Sequence, residues 1–313
     1  MKKIRTAVVG TGYLGKFHAQ KYALLPQAEL VAVCDTDPLI AHQQAEIHQL
    51  KTFTNYRELI GQVDAVSIVV PTKLHYEVAL FFLQHGVHVL VEKPISTTLQ
   101  EADELIRVAK EQDLILQVGH IERFNPGFKS LEARVKTPQF IESTRLAPFK
   151  TRGADANVIL DLMIHDLDLI QALMRQPIQS IKASGVSLIT RDVDVAKVKV
   201  EFSDGRLAFL KAGRTNPNTQ RELSVYQEDE HLHLDMQAKT LTRYQRNSAN
   251  SSTEALIEEI LIPNEDALYN ELNAFLNAIL GLEAVTVSGE DGFIALESAL
   301  KITSLILASK IRS

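Results

Sequence analysis

The first third of the chain alternates short apolar runs with stretches of helical periodicity. The apolar runs are rich in Val, Ile and Leu and predict strands at 4–9, 30–34, 65–70, 87–91 and 114–118. Helices are predicted between them, at 16–25, 76–85 and 99–110. Continuous apolar strands that alternate with helices indicate a parallel sheet covered on both faces, which is a doubly wound α/β domain.

The pattern changes in the second part of the chain. The apolar stretch 158–174 predicts a buried helix, and period-two alternation then predicts strands at 180–189, 196–202, 207–214, 221–227 and 231–236. Such alternation is typical of a mostly antiparallel sheet with one open face. Two helices close the chain; Gly281 caps the first, and residues 288–291 form a capping-box pattern at the start of the second.

These patterns predict two domains, a doubly wound domain at residues 1–122 and an α+β domain at residues 123–313. The polar stretch 247–253 predicts a mobile surface loop. The charge is 33 − 39 = −6, without a run of Lys or Arg, so the sequence favours neither nucleic acid nor a membrane surface as a partner. Cys34 is the single cysteine, and no stretch approaches the roughly 20 apolar residues of a membrane span. We therefore expect a cytoplasmic protein.

A glycine-rich turn follows the first predicted strand. Gly10, Gly12 and Gly15 form GxGxxG around Tyr13 and Leu14, at the point where a helix begins. In this context the glycines permit a tight turn, close approach of a pyrophosphate, and packing of helix on strand. The alternative is an ordinary glycine turn. The sequence predicts that all five residues contact a dinucleotide.

An acidic residue, Asp35, ends the second predicted strand, where a carboxylate binds the ribose hydroxyls of a dinucleotide. No Arg or Lys follows in Thr36–Pro38 to bind a 2′-phosphate. This favours NAD over NADP.

Polar residues also follow the third and fourth strands, whose carboxyl ends open at the ligand crevice of such a sheet. Pro71, Thr72 and His75 follow one strand, and an ordinary loop is the alternative for His75. Glu92 and Lys93 end the other strand, before Pro94, and we include both among the cofactor-binding candidates. We expect the Lys93 ammonium to reach a substrate hydroxyl; the alternative is that Lys93-Pro94 is an ordinary turn after a strand. Glu92, on the opposite side of the strand, can be purely structural.

Further candidates for substrate binding follow the fifth strand, in GHIERFNP. His120, Arg123 and Asn125 lie where the chain passes to the second domain, and their polar groups can bind substrate oxygens. The alternative is a connecting loop that Arg123 holds structurally.

The apolar helix 158–174 carries an acid–histidine–acid stripe. At about 100° per residue, Asp161, His165 and Asp168 share one face, while Asp166 points away from it. Buried charges are costly, so the stripe indicates either catalysis or a core histidine paired with an acid. We expect no metal, because Asp-x-x-x-His lacks a third ligand at familiar spacing.

Taken together, these motifs resemble the glucose-fructose oxidoreductase/myo-inositol dehydrogenase/MocA family along essentially the whole chain. The matching segments are GTGYLG, CDTDP, PTKLH, VEKPIS, VGHIERFNP, DLMIHDLDL and VSGEDGFIALESAL. The resemblance implies a Rossmann domain, NAD(P)-dependent oxidation of a sugar or polyol hydroxyl, and a homodimer or homotetramer formed through the C-terminal sheet.

Residue by residue, the resemblance implies that Lys93 is an active-site lysine, that Asp161 and His165 are a catalytic pair that also contacts substrate, and that Pro94 is a proline often found cis. The segments VGHIERFNP and DLMIHDLDL are most similar to the branch that oxidises the 3-hydroxyl of UDP-N-acetylglucosamine. For its diphosphate, Arg123, Lys150 and Arg152 are the candidate cations, and ordinary surface charges are the alternative for all three.

Other functions stay open at this point. A dehydrogenase of a free sugar or cyclitol has the same motifs, and some similar proteins use bound NAD to cut glycosidic bonds. A non-catalytic NAD-binding regulator is a third alternative, although it has no use for Lys93, Asp161 and His165 together.

Overall fold

The computed structural model describes residues 3–150, 157–246 and 255–310, so the loop predicted at 247–253 lies outside the described residues. The strands are, in chain order, β1 (Ile4–Val9), β2 (Ala28–Cys34), β3 (Lys51–Phe53), β4 (Ala65–Ile68), β5 (His88–Glu92), β6 (Leu116–Gly119), β7 (Pro138–Leu146), β8 (Ile178–Val186), β9 (Val195–Phe202), β10 (Leu207–Gly213), β11 (Gln220–Gln227), β12 (Glu230–Asp235), β13 (Thr240–Arg246) and β14 (Ala255–Ile260). The α-helices are α1 (Gly15–Tyr22), α2 (Pro38–His48), α3 (His75–Gln84), α4 (Leu99–Glu111), α5 (Pro126–Glu132), α6 (Ile164–Met174), α7 (Ala267–Ile279) and α8 (Gly289–Lys310).

The chain forms two compact units, and the first one is discontinuous. It comprises Met1–Phe124 and Asp266–Ile294, and the second comprises Asn125–Glu265 and Ala295–Ser313. The sequence pattern assigned residues 266–294 to the second domain, whereas the structure groups them with the first. The reason is hydrophobic packing: Leu272, Phe275 and Leu276 of α7 are fully buried in the core that β1 and α1 share.

The first unit is built on a six-stranded parallel sheet with the order β3-β2-β1-β4-β5-β6. The doubly wound prediction is therefore confirmed. The strand order reverses between β1 and β4, and the carboxyl ends of all six strands lie at one edge of the sheet. In open α/β sheets, ligands bind at such an edge, at the point of reversal.

Helix α7 is joined to α1 by polar contacts as well. Lys21 Nζ lies 2.8 Å from Asp266 Oδ2, and Gln27 Nε2 donates to Asn273 Oδ1 at 2.6 Å. The helix ends as predicted, at Gly281, whose φ of +68° suits glycine. The Gly281 and Leu282 N–H groups donate to the carbonyls of Ala278 and Asn277, which is a Schellman motif.

The second unit is built on an eight-stranded sheet with the order β14-β13-β12-β11-β7-β10-β9-β8. Of its pairs, β7 with β10 is parallel and the others are antiparallel, which confirms the mostly antiparallel prediction. The central strand β7 was not predicted, because polar residues such as Ser143 and Arg145 interrupt its apolar pattern although both are buried. The strands β3, β13 and β14 and the helices α2 and α5 were not predicted either.

The predicted strand 180–189 ends earlier, at Val186, for a specific reason. The Asp194 carboxylate accepts hydrogen bonds from the backbone N–H groups of residues 188–190 at 2.6–2.9 Å. These N–H groups are therefore taken out of the strand ladder.

Helix α8 differs from the sequence-based expectation that no stretch approaches the length of a membrane span. Within the described residues, Gly289–Ser309 is long and apolar enough to span a membrane by length and composition. Its capping box is present, with Ser288 Oγ accepting from the Asp291 N–H and Asp291 Oδ2 accepting from the Ser288 N–H. Ala295, Ala299 and Ile302 lie in the hydrophobic core of the second unit. Core packing thus explains the apolar residues on the buried face of α8.

Candidate active site

The glycine loop shows three different steric requirements. A Cβ at Gly15 would lie 1.8 Å from the Gly10 carbonyl oxygen, and one at Gly10, where φ is +87°, would lie 2.6 Å from the Val69 carbonyl oxygen. A Cβ at Gly12 would meet nothing within 4 Å. Gly10 and Gly15 are therefore needed for the turn and for packing, while Gly12 leaves open space where a pyrophosphate can approach the backbone.

The start of α1 suits the same ligand. Among the described residues, no side chain caps its first N–H groups, and groups of this kind bind phosphate at helix N-termini. Tyr13 and Leu14, the loop residues before the helix, are 61% and 42% exposed. Both side chains are therefore available to cover a dinucleotide.

Asp35 is joined to this loop by hydrogen bonds. Its Oδ2 accepts from the Thr11 N–H at 2.8 Å, and its Oδ1 accepts from the Asp37 N–H at 3.0 Å. The carboxylate is thereby fixed at the end of β2, beside the loop that would hold the pyrophosphate. This is the position that a ribose-binding acid needs.

The segment after β4 divides into accessible and buried parts. Pro71 is exposed and Thr72 half-buried, whereas His75 is buried. His75 Nδ1 lies 2.8 Å from the Pro94 carbonyl oxygen, and its Nε2 lies 2.9 Å from that of Val70. Both ring nitrogens thus face backbone carbonyls, and burial lowers the pKa of the imidazole. His75 joins two strand ends, which favours the structural alternative for this residue.

Lys93 lies where the sequence predicts it, directly after β5 at the carboxyl edge, and is half-buried. The Lys93–Pro94 peptide bond is cis, as the family resemblance implies. Next to it, His120 follows β6 and is buried. Burial first, and then the charges of Lys93 and Arg123, lower the pKa of His120 to about 3, so this imidazole is neutral.

Glu92, the residue before Lys93, is directed away from solvent. Its Oε1 lies 3.2 Å from Nε2 of the buried His18, and Glu271 of α7 completes a cluster of three. A Cβ at Gly119 would lie 3.0 Å from Glu92 Cδ, so the carboxylate packs closely on β6. These contacts favour the structural alternative for Glu92.

The next two candidates, Arg123 and Asn125, form hydrogen bonds with neighbouring residues of the protein. Arg123 is 8% exposed; its Nη2 donates to the Thr286 carbonyl at 3.3 Å and lies 3.7 Å from Asp291 Oδ1. In the second unit, Asn125 Oδ1 accepts from the Gly127 N–H at 2.9 Å and caps α5. The burial and contacts of Arg123 favour its structural alternative over a role in binding phosphate.

The candidate catalytic residues Asp161 and His165 of the second unit lie on a helix that differs from the predicted one. Residues Ile159–Met163 form a π-helix, and only Ile164–Met174 are α-helical. Asp161 belongs to the π-helical part and His165 to the α-helical part, and both are half-buried. Asn157 Oδ1 accepts from the N–H groups of Ile159 and Leu160 and starts the helix. Such π-turns are rare and occur frequently at functional sites.

The other two acids on this helix are buried. Asp166 forms a bidentate ion pair with Arg145 of β7, with both Arg145 Nε and Nη2 within 3.0 Å of Asp166 Oδ1. Asp168 is also buried. The sequence separated Asp166 from the stripe correctly but could not identify Arg145 as its partner.

Two family models match most of the chain. An oxidoreductase family model with an NAD-binding Rossmann fold matches residues 4–120, and the GFO/IDH/MocA C-terminal domain model matches residues 130–233. Lys93 lies in the first matched region, and Asp161 and His165 lie in the second. Each candidate catalytic residue thus lies in a matched region.

Known proteins extend this similarity to nearly the full length. The UDP-N-acetylglucosamine 3-dehydrogenase of Acidithiobacillus ferrooxidans is 38% identical over 96% of this chain and 97% of its own. Its solved structure has a TM-score of 0.92 over 98% of this chain and 99% of that chain. The myo-inositol 2-dehydrogenase of Thermotoga maritima is 27% identical over 94% and 93% of the two chains. The chain therefore belongs to the GFO/IDH/MocA family of NAD(P)-dependent oxidoreductases that act on CH–OH groups.

Proposed function

We propose that this protein oxidises the 3-hydroxyl of a UDP-N-acetylhexosamine such as UDP-N-acetylglucosamine. The observation that carries the proposal is the 38% identity to a UDP-N-acetylglucosamine 3-dehydrogenase over nearly the full length of both chains. The open space at Gly12 and the fixed carboxylate of Asp35 fit a dinucleotide. Family membership supports joint action of Lys93, Asp161 and His165 on the substrate.

In this mechanism each of the three side chains has its own role. Lys93 donates a hydrogen bond from its ammonium to the reacting hydroxyl oxygen and stabilises the negative charge that develops there. His165 accepts the hydroxyl proton as general base, and Asp161 orients the ring and stabilises its charged form. Bound NAD supplies the acceptor for the hydride that leaves the carbon.

We also propose NAD rather than NADP as the cofactor. Asp35 would accept hydrogen bonds from the ribose diol and repel a 2′-phosphate. In Thr36–Pro38, which follows, there is no cation to offset that repulsion.

The substrate diphosphate needs cations in a protein whose formal charge is −6. Arg123 already bonds Thr286 and lies beside Asp291, so we now favour Lys150, which is exposed. Arg152 lies outside the described residues. If Lys150 binds the substrate and the transition state equally, its loss would raise KM and leave kcat unchanged.

A second copy of the chain is the partner that we propose for the open face of the C-terminal sheet. Phe140, Tyr226, His231 and Tyr244 form a row of stacked rings on neighbouring strands, with centroids 4.2–5.2 Å apart. Phe209 extends the row and is 38% exposed. A continuous aromatic face of this kind marks an interface. Light scattering should show a dimer or tetramer that Tyr226→Glu dissociates; an unchanged mass would contradict this.

The cofactor and substrate proposals are tested together by a screen with the purified protein. NADH formation is followed with UDP-N-acetylglucosamine, N-acetylglucosamine and myo-inositol, and NADP replaces NAD in a parallel series. We expect kcat/KM for the nucleotide sugar to exceed that for the free sugar by roughly 100-fold, about 2.7 kcal/mol. Preferred turnover of myo-inositol would establish the cyclitol alternative. Cleavage of a glycoside without net NADH would establish the glycosidase.

A further inference from the structure

The first unit contains a buried cluster of titratable groups that the proposed mechanism does not use. It consists of His18 on α1, Glu92 at the end of β5 and Glu271 on α7. One polar atom from each of the three lies within 4.8 Å of the other two. His18 Nε2 and Glu92 Oε1 are the closest pair, at 3.2 Å.

The cluster has more hydrogen-bond acceptors than donors. Neither carboxylate oxygen of Glu271 has a hydrogen-bond donor among the described residues, and the same is true of Gln117 Oε1. Glu271 is 0% exposed. An ionised carboxylate in such a place is very costly, and the usual response is to take up a proton. Burial, and then the charge of Glu92, raise the pKa of Glu271 well above its ordinary value.

The position of the cluster connects it to the active-site lysine. Glu92 immediately precedes Lys93 in the chain, and its carboxylate packs against Gly119 of the neighbouring strand. The side chain of Glu92 therefore fixes the backbone at the carboxyl end of β5. Contacts that hold the Glu92 side chain therefore also help to hold the backbone of Lys93.

We propose that Glu271 is a positioning residue that keeps a proton at neutral pH and donates it to Glu92, directly or through one water molecule. A separation of up to 4.8 Å leaves room for one bridging water. Glu92 then accepts from both Glu271 and His18. A divalent cation held by the same three residues is the competing explanation, and it is an outcome of the test below.

The proposal predicts a pH dependence with a definite sign. The groups that face Glu271 are Glu92, His18, Gln117 and Tyr22, and the pKa of Tyr22 is itself raised, mainly by burial. Above the ordinary pKa of 4.5, the unfolded chain loses the Glu271 proton while the folded protein keeps it. The wild-type unfolding constant should therefore increase about tenfold per pH unit relative to that of Glu271→Gln, until the folded pKa is reached.

The direct experiment is infrared spectroscopy of the cofactor-bound protein at neutral pH. We expect a band of a protonated, buried carboxyl group in wild type, absent in Glu271→Gln. The matched control is Glu290→Gln, whose carboxyl lies at the surface near Lys110 and should leave the band in place. A wild-type spectrum without the band would overturn the proposal. So would a melting temperature that EDTA lowers in wild type and leaves unchanged in Glu271→Gln, because that result assigns a metal ion.

The positioning role is tested by single-turnover hydride transfer, and this arm alone depends on the proposed function. Glu271→Gln keeps a donor and should stay within about threefold of wild type. Glu271→Met keeps the volume but has no donor, and should slow transfer roughly 10- to 100-fold without weakening NAD binding, the range for a lost hydrogen bond to a charged group. Equal rates for the two variants, or an inactive Glu271→Gln, would contradict the role. If wild type turns over no nucleotide sugar, the proposed function fails, and the infrared result still decides the protonation.

Discussion

The glycine loop of the first unit and the acid-bearing helix of the second unit differ in what determines them. In the loop, Gly15 and Gly10 are required because an added Cβ would lie 1.8 Å and 2.6 Å, respectively, from a backbone carbonyl oxygen. On the helix, by contrast, the role of Asp166 depends on its ion pair with Arg145, which lies on strand β7. Steric requirements within a motif are therefore visible in a sequence, whereas the role of a charge depends on its partner in the fold.

The largest effect should come from the half-buried histidine on that helix. His165→Ala removes the general base and should lower kcat roughly 10²- to 10⁴-fold. NAD affinity should not change, because the glycine loop and Asp35 are untouched. Steady-state kinetics with an NAD titration measure both quantities, and His42→Ala on the exposed face of α2 is the control. A normal kcat for His165→Ala would show that His165 is a structural core histidine and not the general base.

The next effect is on stability and separates Asp166 from the catalytic pair. Asp166→Ala leaves the buried Arg145 without its carboxylate and should lower the free energy of unfolding by about 3–5 kcal/mol. Arg145→Met combined with Asp166→Leu should recover most of this loss. Denaturant titration measures the free energy of unfolding. The control is Lys129→Ala, which removes an exposed ion pair with Glu132 and should change this free energy little. A catalytic defect in a stable Asp166→Ala protein would contradict this assignment.

Two glycine variants test the steric account of the loop. Gly12→Ala places a methyl group in open space, so the fold should be unaffected while NAD binding weakens roughly tenfold, about 1.4 kcal/mol. Gly15→Ala instead forces a contact with the Gly10 carbonyl and should lower the melting temperature as well. Calorimetry and NAD titration distinguish the two. Identical behaviour of both variants would show that Gly12 has no separate role.

An effect of similar size concerns cofactor choice. Asp35→Ala removes the acceptor for the ribose hydroxyls and should weaken NAD binding by about 1.5 kcal/mol while it narrows the difference from NADP. Fluorescence titration with both cofactors gives the ratio, and Asp103→Ala on the surface of α4 is the control. Tighter binding of NADP than of NAD by the wild-type protein would show that Asp35 does not select the cofactor.

The sequence predicted the parallel sheet, the glycine loop and the location of Lys93 at a strand end. These features depend on local periodicity and on the common direction of parallel strands, both of which a single sequence contains. It did not predict the central strand β7, because the buried Arg145 interrupts its apolar pattern and the partner Asp166 lies on another element, helix α6.

The other features that the sequence did not predict also depend on contacts that form only in the fold. The return of α7 to the first unit depends on packing between segments about 250 residues apart, such as Gln27 with Asn273 and Asn277. Glu271 belongs to no motif in the sequence, and only the fold brings it beside Glu92 and His18. The π-turn of Ile159–Met163 has no distinct periodicity in five residues, so the helix was predicted as α throughout.

The most direct test of the central claim is the rate of hydride transfer in a single turnover by Lys93→Ala, with UDP-N-acetylglucosamine as substrate. NAD affinity is measured on the same samples, and Lys110→Ala at the surface is the control. The proposed mechanism predicts transfer roughly 10²- to 10³-fold slower than wild type with unchanged NAD affinity, because Lys93 stabilises charge that develops only during the reaction. Wild-type rates with bound substrate would show that Lys93 is structural and would contradict the mechanism.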